Sequence, residues 1–225
     1  MARAKSFETN RGKRRQEEKY QRILDAALEV FSEKGFYEAK VNDIARVAGV
    51  ADGTIYLYFK NKDDLVASLV DTLFEFINER IKLALYGITD ARDRVHRLIR
   101  FHIGLAYEDP TLMRFLTVEL RRGGPGLKEK TRSKVIEYVG LWEKTIEDGK
   151  TQGHFRPELR AGIIKHLIFG ALDYMSMSLV AKPEPPAERI EAIMNESTDF
   201  VLRAVVLGTE APTWSQPKQL VAFEA

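Results

Sequence analysis

The chain has 225 residues, 44% apolar and 30% charged, an ordinary globular balance with enough material to bury a core in one or two domains. It has no cysteine, which excludes disulfides, thiolate metal sites and cysteine nucleophiles and suits a reducing cytoplasm. The net charge of +2 is unevenly spread: residues 1–16 hold six Lys or Arg against Glu8 alone, while the 160 residues after Leu65 balance.

That basic stretch opens the chain. Residues 1–15 read as a flexible arm, suited to a polyanion partner or simply to solvent. The arm has no apolar stretch of the kind a signal peptide needs. Nowhere does an apolar run approach the ~18 residues that span a membrane. Ile23, Leu24, Ala27, Leu28 and Phe31 then recur at helical spacing, with Gly35 as the stop. Val41, Ile44, Ala45 and Ala48 line a short second helix that Gly49 ends. A third runs from about Asp52 to Phe59. Asn61 opens a long fourth helix, with Asp64 placed as a capping-box partner and Leu65, Leu69, Leu73 and Phe76/Ile77 as its core stripe.

The second half continues in the same manner. A helix from about Asp90 to Tyr107 carries Val95, Leu98, Ile99, His102 and Ile103 on one side, and His102 reads as a satisfied core residue. Asp109-Pro110 caps and starts the next helix, which ends near Arg122 before Gly123-Gly124-Pro125. A long helix reaches about Lys150, another spans roughly Pro157 to Val180, and a last one ends near Gly208. The fold expected is all-α, with about nine helices and no internal repeat. Its segments are the arm (1–15), a first helical unit (16–64), a second, larger helical unit (65–208) and a loose tail (209–225).

Residues 41–59, VNDIARVAGVADGTIYLYF, have the make-up of a helix-turn-helix. Two closely crossing helices need a small residue at the crossing, which Ala45 supplies. The turn needs a residue at ease with positive φ, which Gly49 supplies. Ile44, Ala48, Val50, Ile55 and Phe59 fall where the two helices must be pinned together. The second helix is then free to enter a DNA major groove, although an ordinary helical corner shares the pattern.

Residues 20–65 resemble the DNA-binding domain of the TetR family of bacterial transcription regulators. The likeness is carried by ILDAALEVFSEKGF, VNDIARVAGV and GTIYLYFKNKDDL in that order. It implies DNA contacts from Thr54 and Tyr56, backbone contacts from Tyr58 and Lys62, close approach at Gly53, and base reading at Asn42. Lys40 stands where the family has a capping Ser or Thr, and could reach a phosphate. Ala51 replaces a common capping Ser, so Asp52 either caps the third helix or accepts from a cytosine amino group. The resemblance also implies a homodimer on a palindromic double-stranded DNA operator, with stripes on the last two helices forming the interface: Ile164, Leu167, Ile168, Ala171, Met175 and Leu179, then Ile190, Ile193, Met194, Ser197, Val201, Ala204 and Val205.

Stretches 50–64, 118–130 and 166–175 are similar to a FadR-type subgroup, which implies a cytoplasmic repressor of fatty-acid degradation genes released by long-chain acyl-CoA. A regulator of an efflux pump sensing another apolar molecule is the alternative. Phe101, Leu105, Phe115, Leu116, Tyr138, Trp142, Phe169 and Tyr174 are candidate walls of an apolar pocket. Arg121, Arg122 and Lys128 are candidates for the coenzyme A phosphates, and Glu119 and Asp173 for a polar ligand group. Ligand is expected to act by shifting the helices that touch the fourth helix. Enzymatic motifs are missing: no HExxH, GxSxG, Walker A or dinucleotide GxGxxG occurs. No catalytic residue, metal ligand or cofactor is expected.

Overall fold

Helix starts and stops fall where capping side chains and glycines dictate. The computed structural model describes residues 2–122, 125–181 and 185–208, with side chains for 13–121, 132–181 and 185–208. The expected tail at 209–225, Gly123, Gly124 and the Lys182–Glu184 stretch lie outside the described residues. Helix α1 (Ala2–Glu38) is followed by α2 (Val41–Ala48), α3 (Asp52–Ile55), α4 (Lys62–Leu85) and α5 (Ala91–Glu108). Helix α6 begins as Pro110–Arg114, widens into a π-helical turn at Phe115–Glu119 and closes with Leu120–Arg122. Helices α7 (Pro125–Thr151), α8 (Ala161–Val180) and α9 (Ala187–Val205) complete the order. The fold is all-α, and among the described residues the sole strand-like feature is an isolated bridge between Phe155 and Val206.

The caps explain the boundaries. Asn61 Oδ1 accepts from the Asp64 N–H at 2.9 Å, and Asp109 Oδ1 accepts from the Leu112 N–H at 2.9 Å. Gly49 ends α2 at φ 64°. Gly35 sits inside α1 at φ 79° and ψ 159°, where the helix bends. Lys40 precedes α2 and its own N–H donates to Asp43 Oδ2 at 3.3 Å; the lysine side chain has no acceptor, so only half of a capping box forms.

Several expectations change. Residues 2–15, expected as a flexible arm, are helical and continue α1. The Lys and Arg residues there are good helix formers, and Arg14 pairs with Glu18 one turn on at 3.1 Å. Helix α8 starts at Ala161, because residues 154–156 are tied to the end of α9: the Arg156 N–H donates to Val205 O, and the Leu207 N–H to His154 O, both at 2.9 Å. Asp52 does not cap α3; Ala51 occupies that position, without a side-chain bond. Helix α8 is also long and apolar enough to cross a membrane by length and composition, with a mean hydropathy of 1.3.

Helix α5 is the central post, packed by α4, α6, α7, α8 and α9. One apolar core surrounds it with Val95, Ile99, Trp142, Ile168, Leu172 and four α9 residues, Ile190, Met194, Val201 and Val205. The α9 stripe expected at a dimer interface thus divides, and those four residues are buried within the chain. A second core spans both expected domains. It joins Ile23, Phe31, Ile44, Ile55 and Phe59 to Leu105, Leu112, Phe115 and Tyr138. The boundary expected at residue 64 falls inside α4 and is no break in packing.

Two substitutions test these joints. A Cβ at Gly35 would lie 2.9 Å from Glu119 Oε2 on a backbone that only glycine adopts readily. Gly35→Ala should lower unfolding free energy by about 1–3 kcal/mol in urea titration. Gly53→Ala, with nothing within 4 Å, should leave it near the wild-type value.

Candidate DNA-binding face and ligand cavity

The helix-turn-helix is built as its residue types require. Ala45 is fully buried beneath the crossing, and its carbonyl accepts from the Val50 N–H at 3.0 Å. Ile44, Ile55 and Phe59 are buried pins. Asp43 is held beside Lys34 at 2.9 Å and Arg46 at 3.6 Å. The Lys34 hydrogen bond keeps its carboxyl below the ordinary range.

The face presented to solvent carries most of the expected contacts. Lys40, Asn42, Asp52, Gly53 and Tyr56 are exposed and Thr54 is half-buried. Tyr37, Lys40, Asn42, Tyr56, Asn61 and Lys62 share an open groove of about 530 Å³. Leu57, just after α3, is 82% exposed. Sequence reasoning passed over it because an apolar residue between two aromatics reads as core.

Two expected contacts have other work. Tyr58 is half-buried, with its ring 6.1 Å from that of Tyr20. Lys62 turns inward: its ammonium donates to the carbonyls of Phe36 at 2.7 Å, Ala39 at 3.1 Å and Tyr37 at 3.3 Å. It also lies 4.6 Å from the centre of the Phe36 ring. An ammonium has three protons, and these carbonyls take all of them. Lys62 is therefore the cap that closes the end of α1.

Behind this unit lies a cavity of about 560 Å³ between α4, α5, α6, α7 and α8. Leu105, Leu116, Tyr138 and Phe169 line it as expected, and so do Arg121 and Asp173. Phe74, Ile77, His102, Met113, Thr117, Leu120, Arg132, Val135 and Ile136 complete the wall. The α4 pair and Met113 obey the same helical periodicity as core residues, so nothing in the sequence separates them from core. The volume falls within the range of small-molecule sites.

Other candidates are placed elsewhere. Phe115 stacks on Phe31 of α1 at 6.2 Å, and Glu119 is buried beside Gly35. Both sit on the side of α6 that meets α1. Trp142 is buried in the core around α5. Phe101 packs between the two cores, under the Arg80 guanidinium. Tyr174 is 68% exposed on the outer face of α8. The side chains of Arg122 and Lys128 lie outside the described residues.

The polar groups of the cavity follow one another. Arg121 makes an ion pair with Asp173. Burial raises the Asp173 carboxyl above its ordinary range, against the lowering by Arg121. Tyr138 is likewise pushed up, first by burial and then by the Asp173 charge. The Tyr138 hydroxyl lies 3.0 Å from His102 Nδ1. Burial pushes the His102 imidazole down to about 4, so it is neutral near neutral pH. His102 is not the satisfied core residue expected, because its Nε2 has no hydrogen-bond partner among the described residues.

Comparison with known proteins fits both regions. The family of bacterial regulatory proteins described as the tetR family matches residues 23–69. The family described as the YsiA-like protein C-terminal region matches residues 69–184. The fatty acid metabolism regulator protein of Bacillus subtilis is 35% identical over 156 residues, which cover 69% of this chain and 80% of that protein. The crystal structure of FadR from Bacillus subtilis in complex with stearoyl-CoA superposes with a TM-score of 0.74 at 30% identity, covering 81% of this chain and 97% of that one. The fatty acid degradation regulator FadR of Bacillus halodurans gives 0.75 at 32% identity, covering 82% and 94%. These relatives are regulators and not enzymes. With one matching family over the helix-turn-helix and another over the helices that enclose the cavity, the chain belongs to the TetR family of transcriptional regulators.

Proposed function

We propose that the protein is a cytoplasmic repressor that binds a palindromic operator as a homodimer and lets go when a long-chain acyl-CoA fills the cavity, so that fatty-acid degradation genes are expressed. The observation that carries this reading is the pairing of an apolar cavity of about 560 Å³ with the guanidiniums of Arg121 and Arg132 among its lining residues. An acyl chain takes the apolar part. Coenzyme A phosphates take the guanidiniums, for which a neutral drug has no use. The relative solved with stearoyl-CoA supports the same ligand class.

Dimerisation draws support from apolar residues left uncovered on the outside of the bundle. Ile163, Leu167 and Tyr174 on α8 and Phe200 on α9 are each more than half exposed. A second copy of this face would cover them. A two-fold dimer would place its recognition helices about 34 Å apart along the DNA.

Helix α6 offers the path from ligand to DNA, in addition to α4. One side of its π-helical turn lines the cavity through Leu116 and Thr117. The other carries Phe115 against Phe31, and just upstream Ser32 Oγ donates to Thr111 O at 2.9 Å. A chain that displaces Leu116 would move Phe115, and α1 with it. In the same reading Arg121 exchanges Asp173 for a ligand phosphate.

Four outcomes are expected. Fluorescence anisotropy with DNA from upstream of the gene should show release by palmitoyl-CoA and none by free palmitate or free coenzyme A; binding indifferent to all three would sink the acyl-CoA reading and leave the DNA reading standing. Arg121→Ala, combined with Asp173→Asn so that no buried carboxylate is stranded, should weaken palmitoyl-CoA binding about 10- to 100-fold. Tyr56→Ala should weaken operator binding by about 1–3 kcal/mol without lowering thermal stability. Lys62→Met should do the reverse, lowering stability by about 1–3 kcal/mol while keeping the salt dependence of DNA binding, which loss of a phosphate contact would reduce by about one unit of slope.

A further inference from the structure

His102, one of the residues that line the apolar cavity, carries a buried ring nitrogen without a hydrogen-bond partner among the described residues. Three rings from three helices meet in its wall: His102 of α5, Tyr138 of α7 and Phe169 of α8. The His102 and Tyr138 rings stack at 6.0 Å, and Phe169 stands edge-on to them at 5.6 and 6.0 Å. His102 is 4% exposed. The Tyr138 hydroxyl engages Nδ1. Nε2 is buried with no hydrogen-bond partner among the described residues.

The protonation pattern follows from the partners. A buried phenol has one proton to give, and Nδ1 is the partner the structure provides for it. A hydroxyl that donates to Nδ1 places the imidazole proton on Nε2. Because burial holds the ring neutral, this Nε2–H is a donor without net charge. The groups that face it are Tyr138 and Arg132 from α7, Arg121 from α6 and Asp173 from α8, the last two paired with each other. From α4 the cavity receives only the apolar Phe74 and Ile77. Trp142 Nε1 and Ser176 Oγ are among the other buried atoms without a partner in the described residues, but of these residues His102 is the one that lines the cavity.

We propose that His102 Nε2 is a ligand-reading donor, which hydrogen-bonds a neutral oxygen of the bound acyl group: the thioester carbonyl, or a hydroxyl or oxo oxygen on the adjoining carbons. This rests on the acyl-CoA reading above. It adds the residue that recognises the acyl oxygen, and it names a reason for rejecting free fatty acid, since a neutral imidazole in an apolar wall gives a carboxylate no countercharge.

The test compares three ligands that share a sixteen-carbon chain: palmitoyl-CoA, its thioether analogue S-hexadecyl-CoA, which lacks the carbonyl oxygen, and 3-hydroxypalmitoyl-CoA. Calorimetric titration of the full chain should show the thioether bound about 3- to 10-fold more weakly than the best oxygen-bearing ligand. His102→Phe should abolish that preference, bringing the oxygen-bearing ligands down to the level of the thioether. If palmitoyl-CoA exceeds the thioether, the carbonyl is the acceptor; if only the 3-hydroxy ligand does, the chain hydroxyl is. Histidine ¹⁵N resonances of the wild-type protein, which need no variant to fold, should report a proton on Nε2 whose shift moves with the preferred ligand and not with the thioether. Equal affinity for all three ligands, or a uniform loss in His102→Phe, overturns the role of His102 while acyl-CoA binding stands. Failure of all three to bind overturns the acyl-CoA reading and this role together.

Discussion

The contact between α1 and the π-helical turn of α6 is the joint on which the architecture depends. A three-helix unit of about 50 residues buries too little surface to be robust alone. Here Phe31 completes its packing on Phe115, and Glu119 reaches the bend that Gly35 allows in α1. The DNA-binding face therefore owes part of its stability to the helix that walls the cavity. Lys62 completes the arrangement by tying the end of α1 to the start of α4, so the groove beside Tyr56 has fixed walls.

The cavity is apolar without being featureless. Its polar groups are joined in sequence: Arg121 to Asp173, the Asp173 charge to Tyr138, Tyr138 to His102. Arg121 acts on Asp173 and the Asp173 charge on Tyr138, while burial alone sets His102. Burial drives Asp173, Tyr138 and His102 toward their neutral forms, and the Arg121 charge opposes it only at Asp173. In the proposed reading, charge is kept at the Arg121 end and the His102 end offers an uncharged donor. An amphipathic ligand with an anionic head and a neutral, oxygen-bearing tail root matches that gradient, and a ligand with its charge on the tail does not.

The helices were legible in the sequence because their punctuation is local. Asn61, Asp109, Gly35 and Gly49 act within one turn, so reading them needs no tertiary knowledge. Roles that depend on direction were less legible. Phe115 and Leu116 are neighbours of similar chemistry, yet one faces α1 and the other the cavity, because successive helical residues point about 100° apart. Trp142 and Tyr138 lie four residues apart on α7, and only Tyr138 reaches the cavity. Lys62 matched a phosphate-contacting lysine in spacing, but the carbonyls that claim it come from a helix more than twenty residues earlier. The α9 stripe held two faces at once, an inner one of Ile190, Met194, Val201 and Val205 and an outer one with Phe200. A single periodicity cannot say which face meets a partner chain.

The π-helical turn also bears on how much energy a switch of this kind requires. Allosteric control typically needs a coupling of about 1–3 kcal/mol. Full burial of one phenylalanine contributes about 1.5–3 kcal/mol, so a modest change at the Phe31–Phe115 stack is already on the right scale. No domain need unfold and no core need be rebuilt. A straight α-helix would resist such a shift, because moving Leu116 would drag every residue of the helix along its axis. A turn wider by one residue can be tightened locally, carrying Phe115 and Glu119 with it and leaving Pro110–Arg114 anchored by Asp109. In the proposed switch, the same few residues that join the DNA-binding unit to the cavity would report what the cavity holds.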